Sequence, residues 1–180
     1  MTIALAGGTG FTGRRVAGRL ALAGHSLRCL VRATSNHEAL PAQSETVEGD
    51  LADAHSVNTW LSGCDSLVYV ASMATGHFPE LVAAAERAGV QRAVLVSTTS
   101  IFTRLSPPSK RVRLAAEQAV MNSRLAWTLI RPTMIYGAPG DRNMERLLRL
   151  AARSRVLPVP GAGRGLIQPV HVEDLADGIV

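Results

Sequence analysis

Residues 7–13, GGTGFTG, set glycines at spacings that chemistry can use. Gly8, Gly10 and Gly13 satisfy GxGxxG, and Gly7, Gly10 and Gly13 satisfy the related GxxGxxG. In such a loop one glycine permits a tight turn. Another lets the backbone approach a pyrophosphate, and the last lets a helix pack close to a strand. Phe11 and Thr12 lie between the last two glycines. A helix that opens here offers unpaired N–H groups and the positive end of its dipole to an anion. The motif carries weight only with a strand before it and a helix after it. Both are present: TIALAG (2–7) is a compact apolar run, and residues 11–24 set Val16, Leu20 and Ala23 on one helical face. The competing reading is a glycine-rich turn without a ligand.

The next chemistry lies at the end of the second apolar run. An acid about 20 residues beyond the loop ordinarily holds the ribose hydroxyls of NAD. No acid occurs between Gly13 and Arg32. The segment LVRATSN instead offers Arg32, whose planar fork suits a 2′-phosphate. The bland alternative is a surface arginine at a strand end. The residues favour NADP(H), with NAD(H) as the other candidate.

The elements that must position these residues alternate along the chain. Strand-like runs occupy residues 2–7, 25–32, 44–48, 66–72, 92–98 and 126–130, the last ended by Pro132. Helical patterns occupy 11–24, 53–62, 79–88, 109–122 and 141–153. Near-continuous apolar strands alternating with helices predict an α/β fold, a doubly wound parallel sheet covered on both faces. The expected division is a dinucleotide-binding Rossmann domain at 1–137 and the start of an incomplete substrate lobe at 138–180.

Totals bound the function. The chain has 180 residues, 47% apolar and 18% charged, enough for one domain with a core. No run reaches the roughly 18 apolar residues that span a bilayer, and the N-terminus lacks the features of a signal peptide. A cytoplasmic location without membrane association is expected. Cys29 and Cys64 form neither a disulfide framework nor a zinc spacing, so no metal is expected. The formal charge is +5, carried by eighteen arginines and one lysine. Aromatics make up 4% and do not interleave with basic residues, which argues against nucleic acid. A small-molecule substrate is expected, and an oligomer is compatible with the sequence.

With these residues in view, the chain resembles the short-chain dehydrogenase/reductase superfamily, in its extended and atypical branch of NAD(P)-dependent epimerase/dehydratase-like proteins. GGTGFTG looks like that branch's nucleotide loop. Asp50, followed by Leu51 in EGDLAD, resembles the acid that meets the adenine. Ala71 and Ser72 in VAS resemble the segment under the cofactor. Pro132 and Tyr136 in IRPTMIYG look like the "RPxxxYG" after the sixth strand, and QPVHVEDLADGIV (168–180) resembles a helix of the substrate lobe.

The resemblance implies a Tyr-x-x-x-Lys pair aided by a hydroxyl after the fifth strand. Thr99 in VSTTSIF matches the hydroxyl, with Ser97, Thr98 and Ser100 nearby; local capping is the alternative. The pair itself is missing. Ser106 stands four residues before Lys110, and a one-turn shift pairs Ser109 with Arg113 instead. Lys110 is either a donor to ribose hydroxyls or a solvated residue at a helix start. Tyr136 is the remaining phenol for the site, or else a structural or pocket-lining one. His77, His171, Glu173 and Asp174 offer a polar cluster, although HVED also reads as a helix N-terminus. The implied activity is an NADP-dependent oxidoreductase, or a sugar-nucleotide epimerase/dehydratase-like enzyme, acting on a nucleotide sugar or a carbonyl compound. The alternative is a non-catalytic NADP(H) sensor or structural subunit.

Overall fold

The apolar runs become one sheet. In the computed structural model, which describes residues 1–137, 140–141, 144–154, 156 and 164–180, six parallel strands stand in the order β3-β2-β1-β4-β5-β6. They are β1 (Thr2–Ala6), β2 (Ser26–Val31), β3 (Glu45–Glu48), β4 (Ser66–Tyr69), β5 (Arg92–Val96) and β6 (Ala126–Ile130). The chain starts at β1, winds outward through β2 to β3, then returns to β4 beside β1 and continues to β6. The order of winding therefore reverses between β1 and β4, and ligands of open parallel sheets bind beyond the strand ends at such a switch.

Burial explains the apolar strands. Ile3, Ala4, Leu5 and Ala6 of β1, and all four residues of β4, are buried between helices on both faces. One face is covered by α2 (Ala54–Leu61), α3 (Phe78–Arg87) and α4 (Pro108–Met121). Its core contains Trp60, Leu81, Phe78 and Val120. The Trp60 indole is fully buried, and its N–H donates to the Arg28 carbonyl at 2.8 Å, as a buried indole must. The other face is covered by α1 (Gly13–Leu22) and α6 (Val172–Ile179), where Val16, Ala17 and Leu20 pack with Leu175, Ala176 and Ile179.

Two features lie outside the expected pattern. β7 (Ile135–Tyr136) pairs in parallel with β8 (Val170–His171) as a separate two-stranded sheet. Between them lies α5 (Met144–Arg153), shorter at its start than the expected 141–153 helix; residues 142 and 143 are outside those described. Because α6 shares a core with β1 and α1, packing runs across the expected 137/138 division. Residues 138 and 139, at that division, also lie outside the described residues. Among the described residues no helix is long and apolar enough to cross a membrane.

Candidate functional site

The glycine loop joins β1 to α1 at the switch. Gly7 sits at φ +82°, a region that favours glycine, and a Cβ there would lie 2.7 Å from the Ala71 backbone nitrogen. A Cβ on Gly13 would run into the Gly7 carbonyl oxygen. The loop is closed by the Gly10 N–H donating to that same carbonyl at 3.0 Å. Gly10 itself is far less constrained. A Cβ there would have a single close neighbour, the Gly7 oxygen, at 3.2 Å.

The start of α1 differs from those of α2 and α6. Asp53 accepts from the His55 and Ser56 N–H groups to cap α2, and His171 accepts from the Glu173 N–H at α6. Thr12 provides no such side-chain cap for α1, and no acid stands in its first turn. The positive end of this helix is thus left without a protein anion.

Two cavities flank the loop. One, about 240 Å³, is lined on its β1 side by Gly7 and Thr9, on its β2 side by Arg32 and Ser35, and beyond β3 by Asp50 and Leu51. The other, about 190 Å³, lies against β5 and is lined by Thr12, Ser97, Thr98, Arg113 and Ile135. Ala71 and Ser72 line both, so the two form one trough running under the loop. The structure therefore brings together Gly7, Thr12, Arg32, Asp50, Leu51, Ala71 and Ser72. Gly10 and Gly13 shape the loop above them, and Phe11 is held by Arg15. The Arg15 guanidinium lies 5.0 Å from the Phe11 ring centre and donates to the Phe11 carbonyl at 2.7 Å.

The arginines at β2 divide in function. Arg28 is tied to Glu45 at 2.8 Å and to the Ser62 carbonyl, so it is structural. Arg32 keeps its side chain at the cavity while its backbone N–H donates to the Ser35 hydroxyl at 3.2 Å. Asp50 also has a local task, since one carboxylate oxygen accepts from the Ala52 N–H at 2.8 Å.

Thr99, Lys110 and Tyr136 are not brought together, and none of them lines either cavity. The Thr99 N–H and hydroxyl both donate to the Pro132 carbonyl, at 3.0 and 3.3 Å. That bond places Pro132 beside the end of β5. The Lys110 ammonium donates to the Thr103 carbonyl at 2.7 Å. Tyr136 stands edge-on to His171, ring centres 5.2 Å apart. The other phenol, Tyr69, is buried and donates to the Ser72 carbonyl at 3.0 Å; burial pushes its pKa up to about 12. Its proton is committed to that carbonyl and tightly held, so it is a poor general acid near neutral pH. His77 lies away from the trough, between α2 and α3. Glu173 serves ion pairs to Arg15 and Arg19. Among the described residues no cluster fits a metal ion.

Sequence reasoning did not assign Ser97 or Arg113 to the site. The available signal was the shifted pairing of Ser109 with Arg113. In the structure the Arg113 guanidinium donates to the Ser109 hydroxyl at 3.1 Å and pairs with no acid among the described residues.

A family profile described as NAD(P)H-binding matches residues 7–152. The chain is similar to ceramide reductase of Caulobacter vibrioides, with 32% identity over 190 aligned positions, covering 99% of this chain and 59% of that protein. It is also similar to the 4-hydroxy-2-methyl-3-oxo-4-farnesyl-3,4-dihydroquinoline-1-oxide ketoreductase of Stigmatella aurantiaca, at 27% identity, covering 97% of this chain and 62% of that one. The chain thus spans about three fifths of the length of these relatives. Among solved structures, UDP-glucose 4-epimerase of Thermotoga maritima superposes with a TM-score of 0.80 over 99% of this chain and 72% of the other. Its 16% identity makes that a likeness of fold.

Proposed function

The chain belongs to the NAD(P)H-binding family, and from that premise we propose that it binds NADP(H) and reduces a carbonyl group of a small molecule. The observation that carries the reading is the trough under the glycine loop, with an arginine and no ribose-binding acid at its β2 end. The residues fit the cofactor in three ways. The crowding at Gly13 holds the start of α1 against the loop, so backbone N–H groups converge where a pyrophosphate would lie. The start of α1 has no side-chain cap to compete. Arg32 and Ser35 supply donors for a 2′-phosphate, while Asp50 and Leu51 border the space for the adenine.

Bound NADPH supplies a hydride. The chain's own residues hold and orient. Ala71 and Ser72 form the floor of the trough, and Val96 and Ile135 narrow the β5 cavity with apolar surface that excludes water. Lys110, with its ammonium on the Thr103 carbonyl, serves the shape of the loop after β5 rather than proton transfer. Thr99 likewise fixes that loop to Pro132. The two named relatives are reductases, which supports turnover over a purely sensing role.

The test is consumption of NADPH with a panel of aliphatic and aromatic ketones, followed by product identification. An alcohol formed in step with NADPH loss is the expected result. NADPH binding with no turnover on any ketone would favour the sensor instead.

A further inference from the structure

Reduction as proposed leaves the carbonyl oxygen without a phenol beside it: Tyr136 lines neither cavity, and Tyr69 borders only the β2-side cavity, where its hydroxyl donates to the Ser72 carbonyl. The β5 cavity contains groups that nothing else in the structure uses. Ser97 is buried, 9% exposed, at the end of β5, and its hydroxyl has no hydrogen-bond partner. Its neighbours are engaged: the Thr98 hydroxyl accepts from the Ser100 N–H at 3.1 Å, and the Ser72 hydroxyl from the Ala74 N–H at 3.3 Å. A buried hydroxyl without a partner is costly to a fold. Across the same cavity stands Arg113, half-buried on α4, bonded to Ser109 and to no acid among the described residues. Thr12, at the uncapped start of α1, completes the wall. The set is rich in donors and free of carboxylates, which suits an oxygen that gains negative charge.

We propose that Arg113 and Ser97 form an oxyanion subsite for the carbonyl oxygen of the substrate. The proposal rests on the NADPH-dependent reduction described above. The hydride adds to the carbonyl carbon, and the C=O π pair moves onto oxygen. The guanidinium and the Ser97 hydroxyl hold that alkoxide, and a water molecule then protonates it, leaving hydroxide that solvent neutralises. The guanidinium acts as a fixed charge and not as the acid. The site therefore dispenses with the tyrosine of a Tyr-x-x-x-Lys pair, whose place before Lys110 is held by Ser106.

The probe is benzoate, a carboxylate that mimics the charged oxygen, titrated calorimetrically into the chain saturated with NADP+. Arg113→Met is expected to weaken benzoate binding about tenfold or more while leaving NADP+ affinity within about threefold. Arg113→Lys should fall between, since it keeps the charge but loses the fork. Ser97→Ala should weaken benzoate and raise the melting temperature of the ligand-free chain by about 2 °C or more, because an unpartnered hydroxyl is removed. Should Arg113→Met not fold, Ser97→Ala carries the same test. No benzoate binding by the unaltered chain, equal binding by the variants, or a loss confined to NADP+ overturns the subsite. Failure to bind NADP+ at all strikes the functional reading itself.

Discussion

Gly10 and Gly13 share a motif but not a constraint. Replacing Gly13 drives a side chain into the Gly7 carbonyl inside the loop, so Gly13→Val is expected to disturb folding itself. Gly10 has a single close neighbour, so in the proposed function its bare backbone serves the ligand and not the fold. Gly10→Val should abolish NADPH binding while leaving the circular dichroism spectrum and melting temperature near those of the unaltered chain. Unchanged binding would show that the loop is not the site. Arg32 is testable in the same way. Arg32→Ala should lose the hydrogen bond to a charged phosphate, about 1.5–3 kcal/mol of NADPH affinity, and leave NADH affinity unchanged. Equal losses for both would assign Arg32 to shape and not to the phosphate. These residues were legible because glycine spacing and the missing acid are local signals. Lys110 and Arg113 were not. They are three residues apart on α4, and which one faces the cavity depends on the helix phase. Lys110 is turned to Thr103 by contacts that no spacing announces.

Among the elements, α6, whose sequence resembles a helix of the substrate lobe, packs on α1. The HVED segment showed acids in a first turn. What the sequence hid was their partners, 154 to 158 residues away. Glu173 bonds Arg15 at 2.5 Å and Arg19 at 2.7 Å, and Asp177 also meets Arg19. Hydrogen bonds from Arg19 and Arg15 hold the Glu173 carboxyl below its ordinary 4.5. A carboxyl depressed on folding stabilises the fold above its unfolded pKa, and that contribution fades as pH falls through the folded one. The pair is partly exposed, so its worth is small. Glu173→Gln should lower the melting temperature by about 1–4 °C at pH 7. The difference should shrink below about pH 4.5 as the native carboxyl protonates. A difference that persists undiminished at pH 2 would mean the ion pairs are not its source. The Arg131–Glu117 pair after β6 carries more. Glu117 is 2% exposed and receives Arg131 at 2.8 and 3.1 Å. Arg131→Met should cost about 3 kcal/mol in urea unfolding, because a carboxylate is left buried and unpaired. Adding Glu117→Met should recover part of the loss; a harmless single variant would refute the account of this pair.

At the scale of the whole molecule, the doubly wound sheet was the most legible feature. Central strands buried on both faces must be continuous apolar runs, and β1, β4 and β5 are. The β7–β8 pair was not legible, since a strand of two residues carries no periodicity. The trough also belongs to this scale. It exists because the order of winding reverses between the parallel strands β1 and β4, which leaves a crevice at the strand ends where Gly7, Arg32 and Ala71 meet from three separate stretches of sequence. Calorimetric titration of the chain with NADPH and with NADH, side by side, tests this account most directly. Saturable one-to-one binding is predicted, with NADPH about tenfold or more tighter. No binding of either, or NADH bound as tightly as NADPH, would contradict it.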